Sequence, residues 1–198
     1  MNPTFSDFAP LYDFSEIESG VQNFFCGLPG GTFVQPPNDD DLNRSQWAPP
    51  AGQIAFYNAF QAETFRKVRP RVYILLNDVS EFPGVRIVDA NQTIRANAWK
   101  GRMRFGIVTE PLYMMHNALR AAVLAIIPQL QPLVTPDGTG EPQGGINAFL
   151  TNHEVGQFAI GSVSTHITPE SGNFHSIFDV NLTFSVRASM WPGGTQTT

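Results

Sequence analysis

SIFDVNLTFSVR, residues 176–187, decides the fold. Phe178, Val180, Leu182, Phe184 and Val186 fall on one side of an extended chain. Ile177, Asp179, Asn181, Thr183, Ser185 and Arg187 fall on the other. A strict period of two with one apolar set predicts a strand with one face in the core and one face out. Immediately upstream, Val155–Ile167 reads as a second strand. The intervening loop holds Pro169 and Gly172, so the two strands form a closing hairpin.

Further upstream the period changes. Over Leu112–Ile127, Met115, Leu119, Ala122, Val123, Ile126 and Ile127 form a wide helical stripe. Pro111 suits the helix start and Pro128 its end. Ala118, Ala121 and Ala125 are small enough to let another element approach closely. An earlier helix is expected over Phe14–Phe25, with Phe14, Ile17, Val21, Phe24 and Phe25 on its buried stripe. Asp13 or Ser15 can cap it, Glu16 and Glu18 suit the positive end of its dipole, and Gly27 with Pro29-Gly30-Gly31 stops it.

Strands are expected between the helices. Ile54–Phe60 alternates, Val72–Leu76 is a dense apolar run consistent with burial on both faces, and Ile94–Thr109 is long, with a break at Lys100-Gly101. Pro70 sits at a strand entry, where a missing N–H is tolerated. A short strand over Thr32–Gln35 precedes them. The expected fold is therefore one α+β domain over residues 1–198. It has a mostly antiparallel sheet, two helices on one face and the order α-β-β-β-α-β-β. Residues 34–52 and 131–145 read as extended loops, rich in proline or glycine, and residues 192–198 as a flexible tail.

Composition narrows the function classes. The single cysteine, Cys26, excludes an intrachain disulfide framework and fits a reducing compartment. The first residues lack the basic and apolar segments of a signal peptide. The longest apolar run, Ala121–Ile127, is far short of the ~18–20 residues of a membrane span. Charged residues make up only 15%, and there are 16 phenylalanines. Interface cores are depleted of charge and rich in aromatics, so large protein contacts account for this composition as well as a Phe-rich core does. Net charge is −5, yet nine of the twelve cations lie between Arg66 and Arg104. Within that segment Lys100, Arg102 and Arg104 alternate on one side of a strand, and Arg69 and Arg71 share the spacing. Such a face meets phosphates without reading bases.

Reactive constellations are scarce. The chain has no nucleophile elbow, Walker loop, dinucleotide fingerprint or paired-cysteine zinc pattern. His166, Glu170 and His175 are residue types that ligate zinc, but they flank the closing turn at a spacing that matches no metal motif. His153-Glu154 reads as loop, and His116 as a capped or exposed histidine near a helix start. Asp39-Asp40-Asp41 reads as a solvated run, and Cys26 as a small buried hydrophobe. Gly30-Gly31 follows a helix, so it does not present amides to a phosphate. No catalytic, cofactor-binding or metal residues are assigned, and no cofactor is expected.

Four segments carry a resemblance: FSEIESGVQNFFCGLPGGTFVQPPN, WAPPAGQIAFYNAF, MRFGIVTEPLYMMHNALRAAVLAIIP and FDVNLTFSVRASMW. In layout the chain resembles tail-terminator and neck proteins of long-tailed bacteriophages. The resemblance implies a virion protein assembled in the host cytoplasm. It implies a self-assembled ring, usually of six subunits, that caps the tail tube, stops its polymerisation and joins it to the head-neck connector. The implied partners are the tail tube protein, a head-completion or neck protein, a sheath protein if the tail is contractile, and genomic DNA passing through the lumen. Arg69, Arg71, Lys100, Arg102 and Arg104 are the candidate lumen or interface residues. The family carries no catalytic residues. The alternatives are a head-closure, neck or baseplate component, a metal-dependent hydrolase using the histidines of the last hairpin, and a small DNA-binding module.

Overall fold

The computed structural model describes residues 13–37, 47–58, 61, 68–88, 94–133, 144–168 and 172–186, with backbone alone for 82–88, 94–98 and 165–168. Residues 38–46 and 134–143 of the two expected long loops, Phe60, and the expected tail lie outside these residues.

The first helix, α1, spans Ser15–Cys26. Neither Asp13 nor Ser15 is the cap: Phe14 holds the N-cap position without a side-chain cap bond, and Asp13, just before it, accepts the Ser15 N–H at 3.1 Å and the Ser15 hydroxyl at 2.5 Å. Its two glutamates have further partners besides the helix dipole. Glu18 accepts the Leu76 N–H at 2.6 Å, and Glu16 accepts the Thr151 and Asn152 N–H groups. The first helix is thus tied to two distant segments by buried or half-buried carboxylates.

The strands follow: β1 (Phe33–Val34), β2 (Ile54–Tyr57), β3 (Arg71–Val88) and β4 (Ile94–Thr109). Helix α2 covers Tyr113–Ile126, with short 3-10 turns at Ile127–Leu130 and Gly145–Phe149. Strands β5 (His153–Thr168) and β6 (Asn173–Val186) close the chain. The fold is α+β, with six strands in the order β1-β2-β3-β4-β6-β5. From β3 to β5 all pairing is antiparallel. The sheet is nevertheless mixed, because β1 pairs with β2 and β2 with β3 in parallel. A parallel neighbour requires a crossover of about a dozen residues or more. Residues 35–53 and 58–70 supply the two crossovers. Alternation in the sequence exposes a strand's faces but not its direction.

Both helices pack on one face. Ile17, Val21 and Phe25 of α1 and Leu119 and Val123 of α2, with Ile127, share a single core with Ile74, Met103, Phe105, Phe178 and Val180. The phenylalanines concentrate there: the Phe25 ring lies 4.6 Å from Phe56 and 5.3 Å from Phe33. Aromatic pairs of this kind add about 0.5–1.5 kcal/mol each beyond area burial.

Several expectations change. Val72–Leu76 is not buried on both faces: Val72 and Ile74 are buried, while Leu75 is 38% exposed. Among the described residues both helices lie on one side of the sheet, and the other side carries no helix, though Ala55 and Tyr57 are buried there. No break interrupts β4 at Lys100-Gly101; the irregularity lies opposite, in β3 between Asn77 and Ser80. His116 is buried, because Thr109 and Ser176 meet it from two strands. His153 is not in a loop; it opens β5 and is fully buried beside Glu16. Ser185, expected outside, is buried.

Beyond Ala98, which pairs with Ser185, β3 and β4 continue to pair with each other as far as Val88 and Ile94. Among the described residues no third strand accompanies this two-stranded arm.

Candidate functional site

The helix-free face of the sheet follows from the strand registers. Met103, Phe105 and Ile107 point into the core, so Arg102, Arg104 and Gly106 point to the open side. Across from these three, β3 places Asn77, Leu75 and Tyr73, and β6 places Asn181, Asp179 and Ile177. Lys100, opposite Thr183, and Arg71, opposite Val108, extend the same face. Arg69 lies beside Tyr57, which belongs to a small cluster with Ala55, Val68 and Tyr73 on this side. The structure therefore brings all five candidate cations to one face.

Their charges are partly matched. Arg104 grips Asp179 with Nε–Oδ1 at 2.9 Å and Nη2–Oδ2 at 3.4 Å. This two-point contact holds the Asp179 carboxyl below its usual range against the opposing effect of burial. Arg102 reaches Asp78 at 3.3 Å, both side chains being about half exposed. Asp78 adopts φ 52° at the β3 irregularity, a left-handed conformation that Asp tolerates better than most residues and that aims its carboxylate at β4. Between these groups lies a shallow hollow of about 340 Å³, lined by Asp78, Lys100, Arg102, Gln157, Asn181 and Thr183. Among the described residues this face carries the five cations against three carboxylates, Asp78, Asp179 and Glu154, the last opposite Ser185, which leaves a positive surplus on a chain of net charge −5.

Tyr73 shapes the centre of the face. Its ring lies over Gly106, where a Cβ would stand 2.0 Å from the ring. Its hydroxyl is 2.9 Å from Nε2 of His175. Burial raises the Tyr73 phenol above its ordinary pKa, against the pull of Arg71 and Arg104. Tyr57 is raised by burial in the same way, opposed by Arg71 and Arg69. Sequence reasoning missed this aromatic pair. The available signal was Gly106 inside a strand, which marks a close approach.

His175 is thus committed to Tyr73 and sits opposite His166 in the strand register. Glu170 and Asp39-Asp40-Asp41 lie outside the described residues. Among the described residues no three His, Cys, Asp or Glu side chains converge as a metal ion requires. Cys26 is half-buried at the end of α1, and burial pushes its thiol up to about 12. Gly30 and Gly31, at φ 99° and 59°, turn the chain from α1 into β1.

On the helical side, His116 Nε2 lies 2.7 Å from Ser176 Oγ, and Nδ1 lies 2.9 Å from Thr109 Oγ1. A serine beside a histidine has the outline of a nucleophile and its base. Here Ser176 and Thr109 are fully buried and His116 is 2% exposed, so no substrate reaches the hydroxyl. The contacts pin the start of α2 to β4 and β6.

The outward face of α2 has a different character. Leu112 is 55%, Tyr113 69% and Met114 85% exposed. Ala118, Ala121, Ala122 and Ala125 continue the exposed face, with no charged residue among them. The alanines that promised close approach of another element meet none within the described residues.

No protein-family model matches the chain, and no curated protein matches it.

Proposed function

We propose that the chain is a structural protein of a long-tailed bacteriophage virion, a tail terminator that acts by assembly and not by catalysis. Copies form a ring, six in the reading that the sequence resemblance implies. The ring caps the tail tube, stops its growth and joins it to the head-neck connector. The observation that carries this reading is the uncharged, exposed outer face of α2, running from Leu112 to Ala125. Contiguous apolar surface of this kind marks a contact surface. The basic helix-free face supports a second part of the reading. Facing a lumen, Arg69, Arg71, Lys100, Arg102 and Arg104 would meet the phosphates of passing DNA without reading its sequence.

Native mass measurement of the purified chain, with electron microscopy of particles from its host, tests the proposal. A ring at the junction of tail tube and neck is the expected result. A chain that stays monomeric at every concentration and never enters particles refutes it. A ring located at the head portal or the baseplate would move the protein to a head-closure or baseplate role.

A further inference from the structure

Among the described residues the outer edge of β5 is closed along its first half and uncovered along its second. Asn147 acts as a substitute strand: its amide donates to the Val155 carbonyl at 2.9 Å and accepts the Val155 N–H at 2.8 Å. Gln131 repeats the device, accepting the Phe158 N–H at 2.7 Å and donating to the Gly156 carbonyl at 3.1 Å. Past Phe158 no described residue caps the edge. There Ile160 is 42% and Val163 49% exposed. The Phe158 N–H points away from β6, toward Gln131. Two residues on, with no register shift between, the Ile160 N–H points the same way. A long edge strand with open backbone groups and apolar side chains is a template for another strand.

The β3–β4 arm has the complementary need. From Glu81 and Trp99 to Val88 and Ile94 its two strands pair with each other. An isolated two-stranded ribbon is marginally stable in water and gains from a third strand. It cannot reach the β5 edge of its own chain. Strand β6 lies between, and the arm runs on past the end of β6.

We infer that the β3–β4 arm of one copy adds to the β5 edge of the next, from Ile160 onward, so that copies join head to tail. The inference rests on the ring reading and specifies its contact. A head-to-tail contact uses two different surfaces and closes into a ring when the rotation permits. Main-chain pairing supplies the affinity, and the exposed Ile160 and Val163 side chains are covered in the same step. Pairing of β5 with β5 of a second copy would instead give a two-fold dimer and leave both arms bare.

Ile160→Lys with Val163→Lys tests the contact. Both side chains are already exposed, so the melting curve should stay within a few degrees of wild type, while the native mass falls to that of the 21.8 kDa monomer. A second measurement fixes the partner. In a Cys26→Ser background, Ala96→Cys and Val163→Cys proteins are prepared separately and mixed under mild oxidation. A disulfide-linked pair forming only in the mixture is the expected result. Oligomers that survive the lysine pair overturn the edge contact and leave the ring reading standing. Cross-links within Val163→Cys protein alone overturn the head-to-tail arrangement in favour of the two-fold dimer. Wild-type chain that stays monomeric at every concentration overturns the ring reading itself.

Discussion

Replacing Gly106 by alanine should destabilise the protein through one side chain, Tyr73. The new methyl would stand 2.0 Å from Cζ, 2.1 Å from Cε1 and 2.4 Å from the hydroxyl oxygen of Tyr73. The ring must therefore leave its seat. Leaving breaks the 2.9 Å contact with His175. That hydrogen bond is worth about 1 kcal/mol net. Displacing a packed side chain adds about 1–3 kcal/mol. Alanine in a strand recovers roughly 0.5–1 kcal/mol of the backbone entropy that glycine loses on folding. The net loss is about 1–3 kcal/mol, or a fall in Tm of roughly 2–12 °C for a chain of this size. The decisive assay is a double-mutant cycle by urea unfolding, with Gly106→Ala, Tyr73→Ala and the pair. With the ring removed, Gly106→Ala should become neutral or stabilising by up to about 1 kcal/mol, so the coupling is about 1–4 kcal/mol. If the two effects add within about 0.5 kcal/mol, the ring does not depend on Gly106 and this account of the open face is wrong.

Leu119→Asp should abolish soluble folding, since Leu119 is 5% exposed on the buried stripe of α2 and a bare carboxylate there has no partner; normal expression and melting would show the helix to be misplaced. His116 should make stability fall with acid. Burial, assisted by nearby Arg120, lowers its pKa below 6.5 in the folded chain, so the unfolded chain takes up the proton first. Its contribution is complete above pH 6.5 and declines as pH falls toward the folded value. Urea midpoints from pH 7.5 to 5 should show a slope that His116→Gln reduces, and an unchanged slope would remove this role. Glu16 acts at lower pH. Burial raises its pKa, but the His153 contact and the Asn152 and Thr151 N–H groups together hold it below 4.5. The stability it contributes is present above that value and lost as pH falls through the folded pKa, so Glu16→Gln should flatten the acid limb of the same titration. Changing Lys100, Arg102 and Arg104 together to Gln should leave the fold intact, at a small cost from freeing Asp179, while impairing particle assembly or DNA passage; unaltered infectivity would remove the lumen reading.

Much of the fold was legible because it depends on local periodicity. The alternation of Phe178 to Val186 marks a strand whose inner residues are all buried, and the spacing of Ile17, Val21 and Phe25 marks one face of a helix. Composition went less far. The cations of β4 could be put on one side of a strand, but Asp179, which neutralises Arg104, is 75 residues away, and only the β4–β6 register brings the two together. His116 looked like a surface residue because its hydrogen-bonding partners lie 7 and 60 residues from it.

By itself, the sequence determined where both helices and the inner parts of the strands lie, which of their faces are apolar, and that the basic residues cluster; it did not show that β3 continues past Leu76 to Val88. Each follows from interactions among near neighbours, or from counting. Only the tertiary structure decided the strand order, the parallel attachment of β1 and β2, the open side of the sheet and the residues that close it. These depend on pairings between distant segments, where many registers satisfy the same alternation and packing against the helices selects one. The half-closed edge of β5 is the clearest instance. Asn147 and Gln131 are ordinary polar residues in the sequence, and become strand caps only because the fold brings them to Val155 and Phe158.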